Sequence, residues 1–320
     1  MRKILVSSTL MLSAIIATSH ANAIEADITT SGFVDIIWTL SDGTDLGKNG
    51  EDKQFQTAGE LDIDSKFKQG ISLRADADVN PENNSGDSAR LEQIYLNWDI
   101  NQEASVKGGV FNNRLTFEKE DAPDLYQITH GQLWDIWNTS TAEYGNNLQG
   151  IEFSYQIEKV NIFIGFLNDL ADTVGKNSVE VAAEIGSVEE LDIKLGLITQ
   201  DQNLETMIDL SASYKIKQLL LAGEILLPDQ EIDNGIMLMA NLQLNDKLSL
   251  TVRYDHVKYD STVAADDTSS LTFAGIYSIS SNLRTKAEIR LNDDKNDPTT
   301  APQIGEGDGT TARLELLALF

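Results

Sequence analysis

Period-two alternation, repeated along nearly the whole chain, is the property that most restricts its fold. Near the C-terminus, Ala312, Leu314, Leu316, Ala318 and Phe320 share one face, and Thr311, Arg313, Glu315, Leu317 and Leu319 share the other. Ile71, Leu73, Ala75, Ala77 and Val79 alternate with Ser72, Arg74, Asp76 and Asp78. Leu283 to Leu291 repeats the pattern around Arg284, Lys286, Glu288 and Arg290. Successive side chains of a strand point to opposite faces, so each segment presents one apolar and one polar surface. About sixteen such segments run from Ala26 to Phe320, most of them near the roughly 9–11 residues that cross a bilayer at a tilt.

The connections sort by length. Short turns are predicted at Lys68-Gln69, Asn101-Gln102, Glu158-Lys159, Ser187 to Glu189, Ile216-Lys217, Asn245-Asp246 and Ser280-Ser281, alternating with long polar stretches such as 41–53, 80–88 and 293–309. Short turns at one end and long loops at the other are the layout of a transmembrane antiparallel up-and-down β-barrel. The expected fold class is therefore all-β, in one domain spanning 24–320. Arg2 and Lys3, the apolar stretch Ile4 to Ala17 and then Ala21-Asn22-Ala23 read as a secretory signal peptide over 1–23, too short to span a membrane.

Composition narrows the function. With 51 acidic residues against 24 basic, the net charge is −27, which excludes nucleic acid as a partner. The absence of cysteine removes disulfides and thiolate metal sites. The acidic loops lack calcium-loop spacing, and no metal site or cofactor is expected. Apart from the leader, the only histidines are His130 and His256, and neither sits in a catalytic motif, so no catalytic residues are assigned.

The connection 112–147 is the longest and follows the fifth predicted strand; loops of that size commonly carry function. Leu91-Glu92-Gln93-Ile94-Tyr95, Gly108-Gly109-Val110-Phe111-Asn112-Asn113 and Phe117-Glu118-Lys119-Glu120-Asp121-Ala122-Pro123 make the chain similar to the OmpL-like family of bacterial outer-membrane porins. The closing Phe320 resembles the last residue of outer-membrane barrels. The resemblance implies that the third loop folds into the lumen and constricts it, and that a homotrimer in the outer membrane, among lipids and lipopolysaccharide, is the default assembly. The Pro-Glu-Phe-Gly-Gly segment of trimeric porins is absent.

Glu118, Glu120, Asp121 and Asp124 are the expected constriction acids. Arg74, Asp76, Asp78, Lys107, Arg253, Arg284, Lys286, Arg290 and Arg313 are the expected pore-wall charges. A short helix is expected to start at Asp121-Ala122-Pro123-Asp124, with Leu125, Ile128, Leu133, Ile136 and Trp137 on its apolar face. Tyr126, Trp134 and Trp137 are candidates for stacking on a solute. The expected function is passive diffusion of small hydrophilic solutes with cation preference. The alternatives are a substrate-selective channel, for oligosaccharides for example, and a non-conducting structural or adhesive barrel.

Overall fold

The computed structural model describes residues 26–43, 50–79, 89–141, 146–170, 175–188, 190–200, 206–228, 231–262, 265–294, 296, 304 and 307–320. The expected leader at 1–23 and the connection 80–88 lie outside the described residues. Sixteen strands form: β1 Ala26–Gly43, β2 Gly50–Phe67, β3 Ile71–Val79, β4 Ala89–Asp99, β5 Ala104–Asn112, β6 Asn147–Ile157, β7 Val160–Asn168 and β8 Asn177–Val188. The second half comprises β9 Leu191–Gln200, β10 Thr206–Ile216, β11 Leu219–Leu227, β12 Ile232–Asn245, β13 Leu248–Tyr259, β14 Thr268–Ser278, β15 Leu283–Asp293 and β16 Gly309–Leu319. Each pairs antiparallel with its neighbours in sequence, and β1 pairs with β16, so the sheet is a closed barrel.

Closure leaves no edge strand, which lipid requires because it cannot hydrogen-bond to free backbone groups. The seam runs from Phe33 opposite Leu319 to Gly43 opposite Gly309. Beyond Phe33, Gly32 and Phe320 exchange both backbone hydrogen bonds at 3.1 Å. Gly32 has no room for a side chain there: a Cβ would lie 2.1 Å from the Glu60 carbonyl oxygen and 2.8 Å from the Phe320 ring.

The alternation resolves as expected. Outward side chains are apolar and uncovered, such as Phe166, Leu238 and Leu314. Trp98, Tyr155, Tyr214, Tyr277 and Phe320 sit outward near the short-turn ends of their strands, where aromatic girdles form. Inward positions carry charge, with Arg253, Lys286 and Arg290 almost wholly covered. The tight turns place Gln69, Glu158, Glu190 and Lys217 at positive φ.

Two features depart from simple alternation. A register shift opposite Asp76 and Ala77 inserts Glu92 into β4, so Glu92 and Gln93 both turn inward. The inner face of β7 to β13 is apolar towards its long-loop end. There Leu167, Ile198, Leu226, Met237, Met239 and Val257 form one core with Leu133, Ile136 and Trp137 of the helix α1, Gln132–Ser140.

Two substitutions probe this architecture. Gly32→Ala should open the β1–β16 seam and lower the temperature at which the compact, fast-migrating band is lost on detergent gels. Leu314→Arg, at the middle of β16, should cost about 2–4 kcal/mol in denaturant unfolding from lipid vesicles. An unchanged midpoint would argue that position 314 does not face lipid.

Candidate functional site

The long connection after β5 bonds to the inward-facing set over much of the circumference. Arg114 donates to Glu152 of β6, with its guanidinium 3.6 Å over the Phe163 ring. The Lys194 ammonium of β9 reaches the Thr116 carbonyl at 3.2 Å. Glu224 of β11 accepts the Phe117 N–H at 3.3 Å. Farther along, Thr251 of β13 donates to the Tyr126 carbonyl at 2.7 Å, and Glu288 of β15 accepts the Ile128 and Thr129 N–H groups at 2.8 and 3.0 Å. Arg284, the second residue of β15, donates to the Pro123 carbonyl at 2.9 Å. Because β15 starts at the short-turn end, the segment approaches the end opposite the one it enters from.

Arg253 is the central anchor. It is fully buried and donates to Glu118 at 2.6 Å, Asp255 at 2.9 Å, and the Thr129 and His130 carbonyls at 2.9 and 3.0 Å. Glu118 also accepts the Gly131 N–H at 2.5 Å and the Gln127 amide. A buried pair with its remaining oxygens hydrogen-bonded holds together, whereas an unpaired survivor would be costly. Lys286 donates to the Ala122 carbonyl at 2.6 Å and the Gln127 carbonyl at 3.2 Å, and pairs with Glu315 at 3.2 Å. Arg290 donates to the His130 carbonyl at 3.0 Å.

These wall cations correct the expected helix. Only one 3₁₀ turn forms at Ala122–Asp124, and α1 begins at Gln132. The carbonyls of Ala122, Pro123, Gln127, Thr129 and His130 accept from arginine and lysine instead of from helical N–H groups. Gly131, extended at φ −80° and ψ 164°, ends the irregular stretch as the N-cap. The apolar periodicity belonged to two pieces, of which only the second is helical.

A second charged centre lies on β2 to β4. Arg74 pairs with Asp62 at 3.0 Å, Asp64 at 3.2 Å and Asp76 at 2.8 Å. Glu60 faces Asp78 across the β2–β3 ladder, and Asp62 faces Asp76. Elsewhere on the wall Lys107 lies 3.8 Å from Glu152 and over the Tyr95 and Phe111 rings, and Arg313 pairs with Glu288 at 3.4 Å.

The four loop acids separate in role. Glu118 is neutralised by Arg253 and buried. Burial, followed by the nearby Glu92, Asp121 and Asp78, holds the Glu120 carboxyl well above its usual range. Burial likewise raises Asp121. Asp124 is exposed, on a cavity of about 440 Å³ that Phe117, Lys119, Tyr126, Glu184 and Lys194 also line.

The stacking candidates separate as well. Trp137 is wholly buried, with its indole N–H 3.5 Å from Asp209, so it has no face for a solute, contrary to the expectation. Trp134 stacks on His130 with centroids 3.8 Å apart. Tyr126 stacks on Phe117 but keeps an edge on the cavity. Sequence reasoning missed Glu92, Arg114 and Glu288. Arg114 lies outside any strand period, and Glu92 sits where the bulge breaks it.

His130 is a neutral spacer. Burial, then the charge of Arg253, pushes its pKa down to about 3. The unfolded chain therefore binds more protons between that value and the ordinary 6.5. The contribution of His130 to stability is complete above the ordinary value and declines as pH falls towards about 3. Its imidazole NMR signals, assigned in a His256→Gln background, should show no titration from about pH 7 to 4, and a step near the ordinary histidine value would refute this. Arg253→Met should raise amide exchange at residues 128–131 at least about a hundredfold, from a loss of about 3–5 kcal/mol, with partial recovery in Arg253→Met/Glu118→Gln.

Comparison with known proteins places this arrangement. No curated protein sequence matches the chain. Among solved structures, Salmonella typhi OmpF in complex with daunomycin superposes with a TM-score of 0.73 at 11% identity, over 92% of this chain and 97% of that one. The anion-selective porin of Comamonas acidovorans gives 0.71 at 15%, over 92% and 100%. The trimer form of in-vitro folded OmpT, an outer-membrane protein of Vibrio cholerae, gives 0.63 at 12%, over 92% and 99%. At these identities the likeness is one of fold. The family model described as beta-barrel porin-2, OmpL-like, matches residues 49–320, and the chain belongs to that family of outer-membrane β-barrel porins.

Proposed function

We propose that the barrel is a passive outer-membrane diffusion channel for small hydrophilic solutes, with residues 113–141 lying in the lumen and narrowing it. The observation that carries this reading is the set of hydrogen bonds from that one connection to inward side chains of β6, β9, β11, β13 and β15. A barrel of this strand number is too wide for wall side chains alone to fill. The family and fold favour a channel over an enzyme, and the secreted, leader-cleaved form of the chain follows from the same reading.

The acids of β2 to β4, together with Asp124, favour cations, since acidic rings lower the energy of a cation in a pore. Glu118 adds little, because Arg253 cancels it. The apolar outward face contacts membrane lipid and lipopolysaccharide, and a homotrimer is the assembly we expect. A substrate-selective channel is a second reading, favoured by the Phe117–Tyr126 stack beside Asp124 and Lys194 on one cavity, which would suit a polar solute with an apolar face such as a sugar.

Planar-bilayer recording of the refolded protein tests the reading. Steady ohmic steps are expected, with a reversal potential in a salt gradient that favours cations. Asp124→Lys/Asp64→Lys should shift that potential towards anions, while Arg253→Met/Glu118→Gln, which removes both members of a cancelling pair, should move it little. Absence of conductance from a correctly folded barrel would overturn the channel and leave a plugged structural barrel.

A further inference from the structure

The contacts that hold the long connection are asymmetric. Towards β13 and β15 its carbonyls and Glu118 meet arginine and lysine. Towards β2 to β4 its acidic turn meets more acid. Oxygens of Glu60, Asp62 and Asp76 lie within 4.8 Å of one another, and so do oxygens of Glu60, Glu92 and Asp121. Asp121 comes from the connection and the other four from the wall. Glu60, Asp62, Asp76 and Glu92 are all buried.

Two bases stand near this cluster among the described residues: Arg74, whose bonds go to Asp62, Asp64 and Asp76, and Arg90, which lies opposite Asp78 in the β3–β4 ladder. No ion pair reaches Glu60, Glu92 or Asp121 among those residues. Like charges facing each other across a ladder destabilise it, so the acid–acid register of β2 and β3 calls for a counter-charge. Asp76 supplies an independent sign of one. It is completely buried, and its Oδ2 takes Arg74 at 2.8 Å and Gln93 at 2.5 Å. Its Oδ1 has no hydrogen-bond partner, and neither has Asp121 Oδ1. Buried carboxylate oxygens are rarely left so, because the desolvation is uncompensated.

The spacing suggests the partner. Oxygens on opposite sides of a calcium ion, each at about 2.3–2.6 Å, stand roughly 5 Å apart. The β4 bulge completes the set: by adding one residue it turns Glu92 inward beside Gln93, so the wall presents a carboxylate that strict alternation would have placed in lipid.

We propose that Glu60, Asp62, Asp76, Glu92 and Asp121 bind a hard divalent cation, Ca²⁺ in preference to Mg²⁺, centred on Glu60. Irregular all-carboxylate coordination suits the larger ion, because Mg²⁺ demands near-octahedral geometry and retains its waters. The ion fastens the Ala122–Asp124 turn to the acidic wall, as Lys286 and Arg284 fasten it on the other side.

The test is Tb³⁺ luminescence of the folded full-length barrel in detergent, with Tb³⁺ as the Ca²⁺ analogue and Trp134, which hydrogen-bonds to Glu120, as the sensitiser. Saturable emission that Ca²⁺ displaces more effectively than Mg²⁺ is expected. Glu92→Gln and Asp121→Asn should each weaken it at least tenfold, while Asp260→Asn, on an outer loop, should leave it unchanged. Thermal unfolding guards against misfolded variants: Ca²⁺ should raise the midpoint of the wild type and not that of Glu60→Gln/Glu92→Gln. Emission that Ca²⁺ does not displace, or an equal Ca²⁺ effect on wild type and double variant, would overturn the site. The readouts need no bilayer, so failure here would leave the conductance reading intact, and the converse also holds.

Discussion

The structure depends on one requirement: in hydrocarbon every backbone N–H and C=O needs a partner within the protein. For a sheet the solution is closure, and the β1–β16 seam provides it. Gly32 and Phe320 meet there with space for hydrogen and no more. Once the ring is closed, the pleat assigns every side chain to lipid or interior. The apolar set meets lipid outside, and the interior receives most of the charge.

Charge inside a barrel of this width needs partners, and the connection after β5 supplies many of them. Its carbonyls take the arginines and lysines of β13 and β15, and Glu118 takes Arg253. The fold of this segment is therefore imposed from outside. A stretch with helical periodicity is drawn into irregular backbone between Pro123 and Gly131 because the wall cations bind its carbonyls more strongly than its own amides do. Helix appears only at Gln132–Ser140, where an apolar inner wall of β12 and β13 offers burial instead of charge.

The acidic side of the barrel shows the complementary situation. Arg74 lies among carboxylates of β2 and β3, with Arg90 opposite Asp78, and the bulge at Glu92 adds a further acid. Such a concentration of like charge is the feature on which both the cation preference and the divalent site are proposed.

Strand positions, face assignment, the order of short and long connections and the strand count were legible in the residues, because pleat and bilayer thickness impose a period and a length that a single chain displays openly. The tight turns fell where expected, except that β8 runs on to Val188, into the turn expected at Ser187 to Glu189. The roles of Glu118, Trp137 and Glu92 were not legible. Glu118 reads as a free acid until Arg253, some 135 residues away in sequence, is brought to it by the closed sheet. Trp137 reads as an available ring until α1 lays it against the β7–β13 wall. Glu92 reads as lipid-facing until a one-residue bulge turns it. Local alternation determines which face a residue occupies, but its partners there come from strands distant in sequence, and only barrel closure sets those distances.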